Sequence, residues 1–389
     1  MKKAVMIGAG QIGRGFIGML LEQAGYYVVF ADINEDVIRD INTRKEYTVH
    51  LVDKESVNTT VRNIRAISSL SPELREEYAT CSLICTSVGL TAFPKIAPAL
   101  AQGIALRRER GETGPLNIIA CENGLHGTTR LKELIFEHLD AGQREYAEEH
   151  VGFPDCAVDR IIPPAKGMAA AETVVERYHE WDVERDGFKG EIPEIPGMEV
   201  VDDLSAYVER KLFTLNGPNA VTGCYGWLKG YETVNEALLD PEIYQVVYGM
   251  MEEVGHMLEK RHGFTAEQMK SYRDGLIRRF ENPYIIDTCT RVAREPIRKL
   301  SPDDRIIAPM KYAEEYGIET SCYYTGIAAI LLYDNPEDEQ AREIRRQIRE
   351  GGVGQTLQSV CGIAPESETA GKITAEYERL RAMYRPDQP

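Results

Sequence analysis

The sequence predicts an α/β N-terminal domain with a parallel-sheet core, followed by a mostly α-helical C-terminal domain. Three observations predict it. Short, near-continuously apolar runs alternate with helical stretches in the first part of the chain, the pattern of strands buried on both faces. A glycine-rich turn joins the first of these runs to a helix. Towards the C-terminus, apolar residues recur at helical spacing between capping residues.

Taken in order, Lys3 to Ile7 reads as a strand, Gly8 to Gly13 as a turn, and Phe16 to Ala24 as a helix followed by Gly25. Tyr27 to Ala31 is the second strand, after which Asn34 caps a helix ending near Asn42. Cys81–Ser87 and Leu116–Ala120 are further strands, the second running into Cys121-Glu122-Asn123. The basic run Arg107–Arg110 is expected in a solvated loop. Gly187–Gly197 carries two prolines and three glycines and marks the domain crossing, giving domains of residues 1–192 and 193–389. Asp202 and Asp203 then cap a helix. Asp240-Pro241-Glu242 opens another, with Ile243, Val246, Val247, Met250, Val254, Met257 and Leu258 on its apolar face. Lys260, Arg261 and His262 suit the negative end of its dipole, and Gly263 stops it. Asp334 to Gly351 repeats that design, acids first and arginines last.

Composition narrows the function. The 389 residues carry 45 Lys and Arg against 62 Asp and Glu, a formal charge of −17. Nucleic acid and anionic membrane both demand a basic face, so neither is expected as a partner. No apolar run reaches the roughly 18–20 residues a membrane span needs. The N-terminal apolar stretch runs into a glycine motif rather than a small-residue cleavage site, so a cytoplasmic protein is expected. The eight cysteines form no CxxC pair, which fits reduced thiols. The seven histidines include no HExxH, and no metal is expected.

Gly8-Ala9-Gly10-Gln11-Ile12-Gly13 matches GxGxxG in the required place, between a strand and a helix. The first glycine permits a tight turn, the second lets backbone approach a pyrophosphate, and the third lets helix pack on strand. Amides at the helix start receive phosphates. Asp32, at the end of the next strand, accepts hydrogen bonds from a ribose and repels a 2′-phosphate. The N-terminal domain is therefore Rossmann-like, and its cofactor is NAD rather than NADP. Farther on, Leu204, Val208, Lys211 and Leu215 lie at i, i+4, i+7 and i+11, placing Lys211 on an apolar stripe. Such a lysine either snorkels to the edge or is desolvated into a usable base.

Lys211, Asn216 and the surrounding Arg210–Asn216 segment resemble the Lys-x4-Asn-x2-His signature of the polyol-specific long-chain dehydrogenases. The stretches 8–18, 30–34, 116–123, 158–164, 188–190, 279–283 and 297–300 match the same family in order and spacing, most of all its mannitol-phosphate branch. The resemblance implies hydride transfer between NAD and a polyol or polyol phosphate, here mannitol 1-phosphate and fructose 6-phosphate, with no catalytic metal. It makes Lys211 the general base and Asn216 and Asn123 the donors to the substrate oxygen. Asp159, Arg291 and Lys299 match substrate-pocket positions. Where the family usually reads Thr-Gly-His after the asparagine, this chain reads Gly217-Pro218-Asn219. Asn219 takes the histidine's place beside the substrate, and Pro218 is expected to disturb the helix. Ala308 stands where the mannitol-phosphate branch commonly has lysine. These departures keep open a dehydrogenase for another polyol, polyol phosphate or sugar acid, and an NAD-binding regulator without turnover. A monomer or small homo-oligomer is expected.

Overall fold

The computed structural model describes residues 2–122, 124, 126–163 and 167–385. The chain divides into two compact units, Met1–Tyr207 and Val208–Pro389. Among its described residues the first contains twelve strands: β1 (Lys3–Ile7), β2 (Tyr27–Asp32), β3 (Tyr47–Val52), β4 (Val57–Val61), β5 (Ile64–Ser68), β6 (Leu83–Thr86), β7 (Leu116–Ala120), β8 (Val151–Gly152), β9 (Cys156–Asp159), β10 (Thr173–Glu176), β11 (Glu180–Glu184) and β12 (Glu199–Val201). Six of them form a parallel sheet in the order β5-β2-β1-β6-β7-β8. That is the doubly wound order, which reverses direction between β1 and β6 and opens a crevice at their carboxyl ends. Ala4 and Met6 pack into one core cluster while Val5 and Ile7 pack into another, so the central strand is buried on both faces.

Two small sheets accompany the large one. The hairpin β3–β4 pairs antiparallel, and β10 adds to β3 in parallel. Strand β11 joins β9 antiparallel and β12 parallel, so residues 199–201 belong with the first unit.

The basic run at 107–110 corrects a sequence expectation. Arg107 to Glu109 close the helix Phe93–Glu109, and Arg107 is only 4% exposed. Its guanidinium donates to the carbonyls of Ala79 (2.9 Å), Cys81 (2.9 Å) and Gly114 (2.6 Å). Two of those acceptors lie at the carboxyl end of the helix Leu74–Thr80, where a cation offsets the dipole.

The regular elements among the described residues of the second unit are helices. Asp240 caps Pro241–His262 by accepting from the amides of Glu242 (2.9 Å) and Ile243 (3.3 Å), and Gly263 ends it at φ 74°. Its seven expected apolar residues are all buried, each contributing on the order of 1.5–3 kcal/mol. The helix expected from Asp334 starts later, at Glu339, because Asn335 precedes Pro336 and is held out of helical geometry. Asp338 caps it instead. No helix among the described residues is long and apolar enough to cross a membrane. All eight cysteines are unpaired.

Glu253, on Pro241–His262, accepts from the amides of Cys322 (2.9 Å) and Tyr323 (3.3 Å) and so caps the neighbouring helix Ser321–Leu331. Burial outweighs these bonds and pushes its carboxyl up to about 7. The folded state then holds a proton that the unfolded chain releases near pH 4.5, so stability falls as pH rises from there to about 7. Glu253→Gln is expected to match the native protein near pH 5 and exceed it at pH 8, by up to about 3 kcal/mol. Urea unfolding at both pH values measures this; a gap that is the same at both would refute it.

Candidate functional site

The glycine motif is built as its spacing requires. Gly8 has φ +94°, and a Cβ there would lie 2.5 Å from the Ser87 carbonyl oxygen at the end of β6. A Cβ on Gly13 would lie 1.8 Å from the Gly8 carbonyl oxygen. Gly10 differs: its Cβ would meet nothing within 4 Å, so its bare backbone faces open space. Two glycines therefore close the turn, and the middle one leaves room for a ligand.

The helix after the turn begins at Gln11 rather than at Phe16, and its second part is unusual. Gln11 and Ile12 are helical, Gly13–Gly18 forms a π-helical turn, and Met19–Gln23 is α-helical. Widened turns expose carbonyls, and distant side chains serve them here. The Tyr47 hydroxyl donates to the Arg14 carbonyl (2.8 Å), and the Arg160 guanidinium donates to that of Gly15 (3.2 Å). Arg160 is 8% exposed, stacks 5.2 Å over the Phe16 ring, and is pushed down to about 10 by burial. Arg14 is buried too, donating to the carbonyls of Ala9 and Ala171 (2.9 Å), while the Thr173 hydroxyl bonds the Gln11 side chain. Neither arginine stands out in the sequence, since each sits in a polar interruption of an apolar run.

Asp32 closes β2 beside this loop. Its carboxylate accepts from the amides of Ala9 (2.5 Å) and Asn34 (2.8 Å). A carboxylate has about four lone-pair sites, so roughly two remain for a diol. Across the reversal point, Glu122 is 7% exposed and accepts from the Thr86 hydroxyl (2.9 Å) and the amides of Val88 (2.8 Å) and Gly89 (2.9 Å). It ties the exit of β7 to the exit of β6. Asn123, the next residue, lies outside the described residues.

Helix 204–229, whose residues from Val208 on belong to the second unit, holds other candidates. Leu204–Arg210 is α-helical, Lys211–Asn216 is π-helical, and Gly217–Lys229 returns to α. The Gly217 amide donates to the Leu212 carbonyl, five residues back. Pro218 has no donor, and in regular α geometry its ring would strike the Thr214 carbonyl. The extra residue of the wide turn absorbs that conflict, so the helix continues. Gly217 is also confined, since a Cβ there would lie 2.5 Å from the Arg305 carbonyl oxygen. Lys211 and Asn216 are half-buried at the two ends of the wide turn, the kind of local irregularity that clusters at functional sites. Asn219 follows in the next turn, and its buried Oδ1 has no partner among the described residues.

The remaining candidates lie elsewhere. Lys299 is 6% exposed and donates to the Val292 carbonyl (2.5 Å) near the Cys224 thiol. Desolvation lowers its ammonium to about 8. In this arrangement it ties down the helix Cys289–Ala293. Arg291, on that helix, is exposed, forks onto both carboxylate oxygens of Asp287, and lines a cavity of about 590 Å³ with Arg294 and Asn335. Asp159 ends β9 opposite Glu180 in the first unit. No three His, Cys, Asp or Glu side chains among the described residues converge as a metal site.

Residues 2–197 match the family model of the mannitol dehydrogenase Rossmann domain, and residues 203–381 match that of the mannitol dehydrogenase C-terminal domain. Among solved structures, a D-sorbitol dehydrogenase in substrate-free form is similar at a TM-score of 0.80 and 18% identity, covering 98% of this chain and 93% of that one. A Pseudomonas fluorescens mannitol 2-dehydrogenase, solved in ternary complex with NAD and D-mannitol, gives 0.66 at 18% identity, covering 100% and 92%. At such identity both likenesses bear on the fold.

Proposed function

The chain belongs to the mannitol dehydrogenase family and is a polyol dehydrogenase; from that premise we propose that it uses NAD to interconvert mannitol 1-phosphate and fructose 6-phosphate, as a mannitol-1-phosphate 5-dehydrogenase. One observation carries the reading: Lys211 and Asn216, the proposed base and oxyanion donor, bound a single π-helical turn. The glycine loop and Asp32 fit the dinucleotide, with Gly10 open to the pyrophosphate and Asp32 retaining acceptors for the adenosine ribose. When bound, the nicotinamide takes up or returns the hydride. Lys211 Nζ receives the alcohol proton during oxidation and returns it during reduction. The Asn216 amide, with that of Asn123, donates to the oxygen as negative charge grows on it, which lowers the barrier without a metal. The unpartnered Oδ1 of Asn219 accepts from a substrate hydroxyl, a role open to a neutral side chain. Asp159, Arg291 and Lys299 are proposed, on the family resemblance alone, for the remaining polyol groups, and Lys299 also ties down the helix that carries Arg291.

A second reading has a specific ground. Ala308, 4% exposed, stands where the branch commonly has a lysine, and if that position contacts phosphate one cation for it is missing. A non-phosphorylated polyol or a sugar acid would then be preferred. Initial rates on a panel of free and phosphorylated polyols, followed by NADH absorbance, decide between them. Mannitol 1-phosphate is expected to give the highest kcat/KM; a free polyol exceeding it tenfold would replace the first reading with the second. In the same assay NAD is expected to exceed NADP at least tenfold, about 1.4 kcal/mol, with Asp32→Ser narrowing the gap. Equal use of both by the native protein would remove the role given to Asp32.

A further inference from the structure

The residues just before Lys211 are held by an ion cluster that no catalytic role explains. Glu209 accepts from Nε2 of His262 (2.6 Å) and from Arg261 twice, at 2.9 and 3.3 Å. Arg261 and His262 are the closing residues of Pro241–His262. Arg261 in turn lies 4.2 Å over the Tyr312 ring, and Arg210 lies 4.4 Å over that of Tyr272. Side chains of Glu209 and His262 are mostly buried, 24% and 11% exposed, while the two Arg261 bonds lie nearer solvent.

Placed on this helix, the cluster has a geometric consequence. A π-helical turn contains one residue more than an α-helical turn, and each residue rotates the chain by about 100°. Were the turn to relax to α geometry, everything before it would rotate by about that angle against everything after it. On the far side the rotation is fixed where Gly217 meets the Arg305 carbonyl. On the near side Glu209 is a polar restraint tied to a different helix, beside Arg210 over the Tyr272 ring.

We infer that Glu209, clamped by Arg261 and His262, is a positioning residue that sets the rotational phase of the wide turn and so aims Lys211 at the substrate oxygen. This rests on the proposal that Lys211 is the base. Misplacing a catalytic group by about 1 Å can cost on the order of 10²-fold in rate. Glu209→Gln is therefore expected to lower kcat by roughly 10–100-fold, while KM and the NAD dissociation constant, read by quenching of protein fluorescence, stay close to native. His262→Gln keeps a donor for Glu209 and should behave as native, whereas His262→Leu should follow Glu209→Gln. This pair decides the matter even if Glu209→Gln folds poorly, because both keep the helix and differ in the donor. Native kcat in Glu209→Gln, or equal kcat in the two His262 variants, overturns the inference. Lys211→Ala run beside them separates the two ideas: full activity there removes the base itself, while its loss with Glu209→Gln unaffected removes only the positioning.

Discussion

Lys211→Ala is expected to lower kcat by roughly 10²–10⁴-fold, the usual worth of a positioned acid–base group. NAD binding should survive, because the glycine loop and Asp32 that fit the dinucleotide belong to the first unit and Lys211 to the second. The loss should fall on kcat rather than KM, since the proton moves only as the transition state forms. Added small primary amines are expected to restore part of the rate by entering the space the side chain leaves. Steady-state kinetics with a parallel fluorescence titration of NAD measure both quantities. A variant with near-native kcat would make Lys211 a lysine whose stem covers apolar surface and whose charge reaches solvent.

Gly13→Ala is the second large effect. The added methyl would lie 1.8 Å from the Gly8 carbonyl oxygen and 3.0 Å from the Ser87 hydroxyl, and the first of these is backbone that cannot turn away. The helix start must move off β1, costing about 1–3 kcal/mol as overpacking does. Dinucleotide binding should weaken by at least about two orders of magnitude, since the phosphate-facing amides move with the helix. Gly10→Ala is the matched control. Its methyl meets nothing within 4 Å, so thermal stability should stay native while binding is lost to the blocked approach. Thermal denaturation and NAD titration of both variants give a two-by-two outcome. Native binding by Gly10→Ala would remove the pyrophosphate from the place assigned to it.

The Gly217-Pro218-Asn219 segment shows how local reading and packing diverge. Read alone, Pro218 should kink its helix, and the family's Thr-Gly-His looks like a simple replacement. The structure accommodates the proline in a wide turn and presses residue 217 against Arg305, so threonine cannot enter at 217 without moving that carbonyl.

What the sequence determined by itself was whatever depends on neighbours a few residues away. The bounds of β1 and β7, the caps at Asn34 and Asp240, the stop at Gly263 and the glycine turn with Asp32 all rest on local dihedral preference, capping bonds and apolar periodicity. That Lys211, Asn216 and Asn219 share one continuous helix was legible too, through spacing. Only the tertiary structure decided the rest, because the deciding partners are remote in the chain. Arg107 reads as solvated until the carbonyls of Ala79, Cys81 and Gly114 surround it. Nothing near Lys299 in the sequence announces its burial or the hydrogen bond it donates to the Val292 carbonyl. The widening at Gly13–Gly18 is served by Tyr47 and Arg160, and that at Lys211–Asn216 is confined by Arg305 and flanked by the Glu209 cluster. A buried cation or a widened turn is tolerable only where acceptors or donors are brought to it, and no short stretch of sequence contains them.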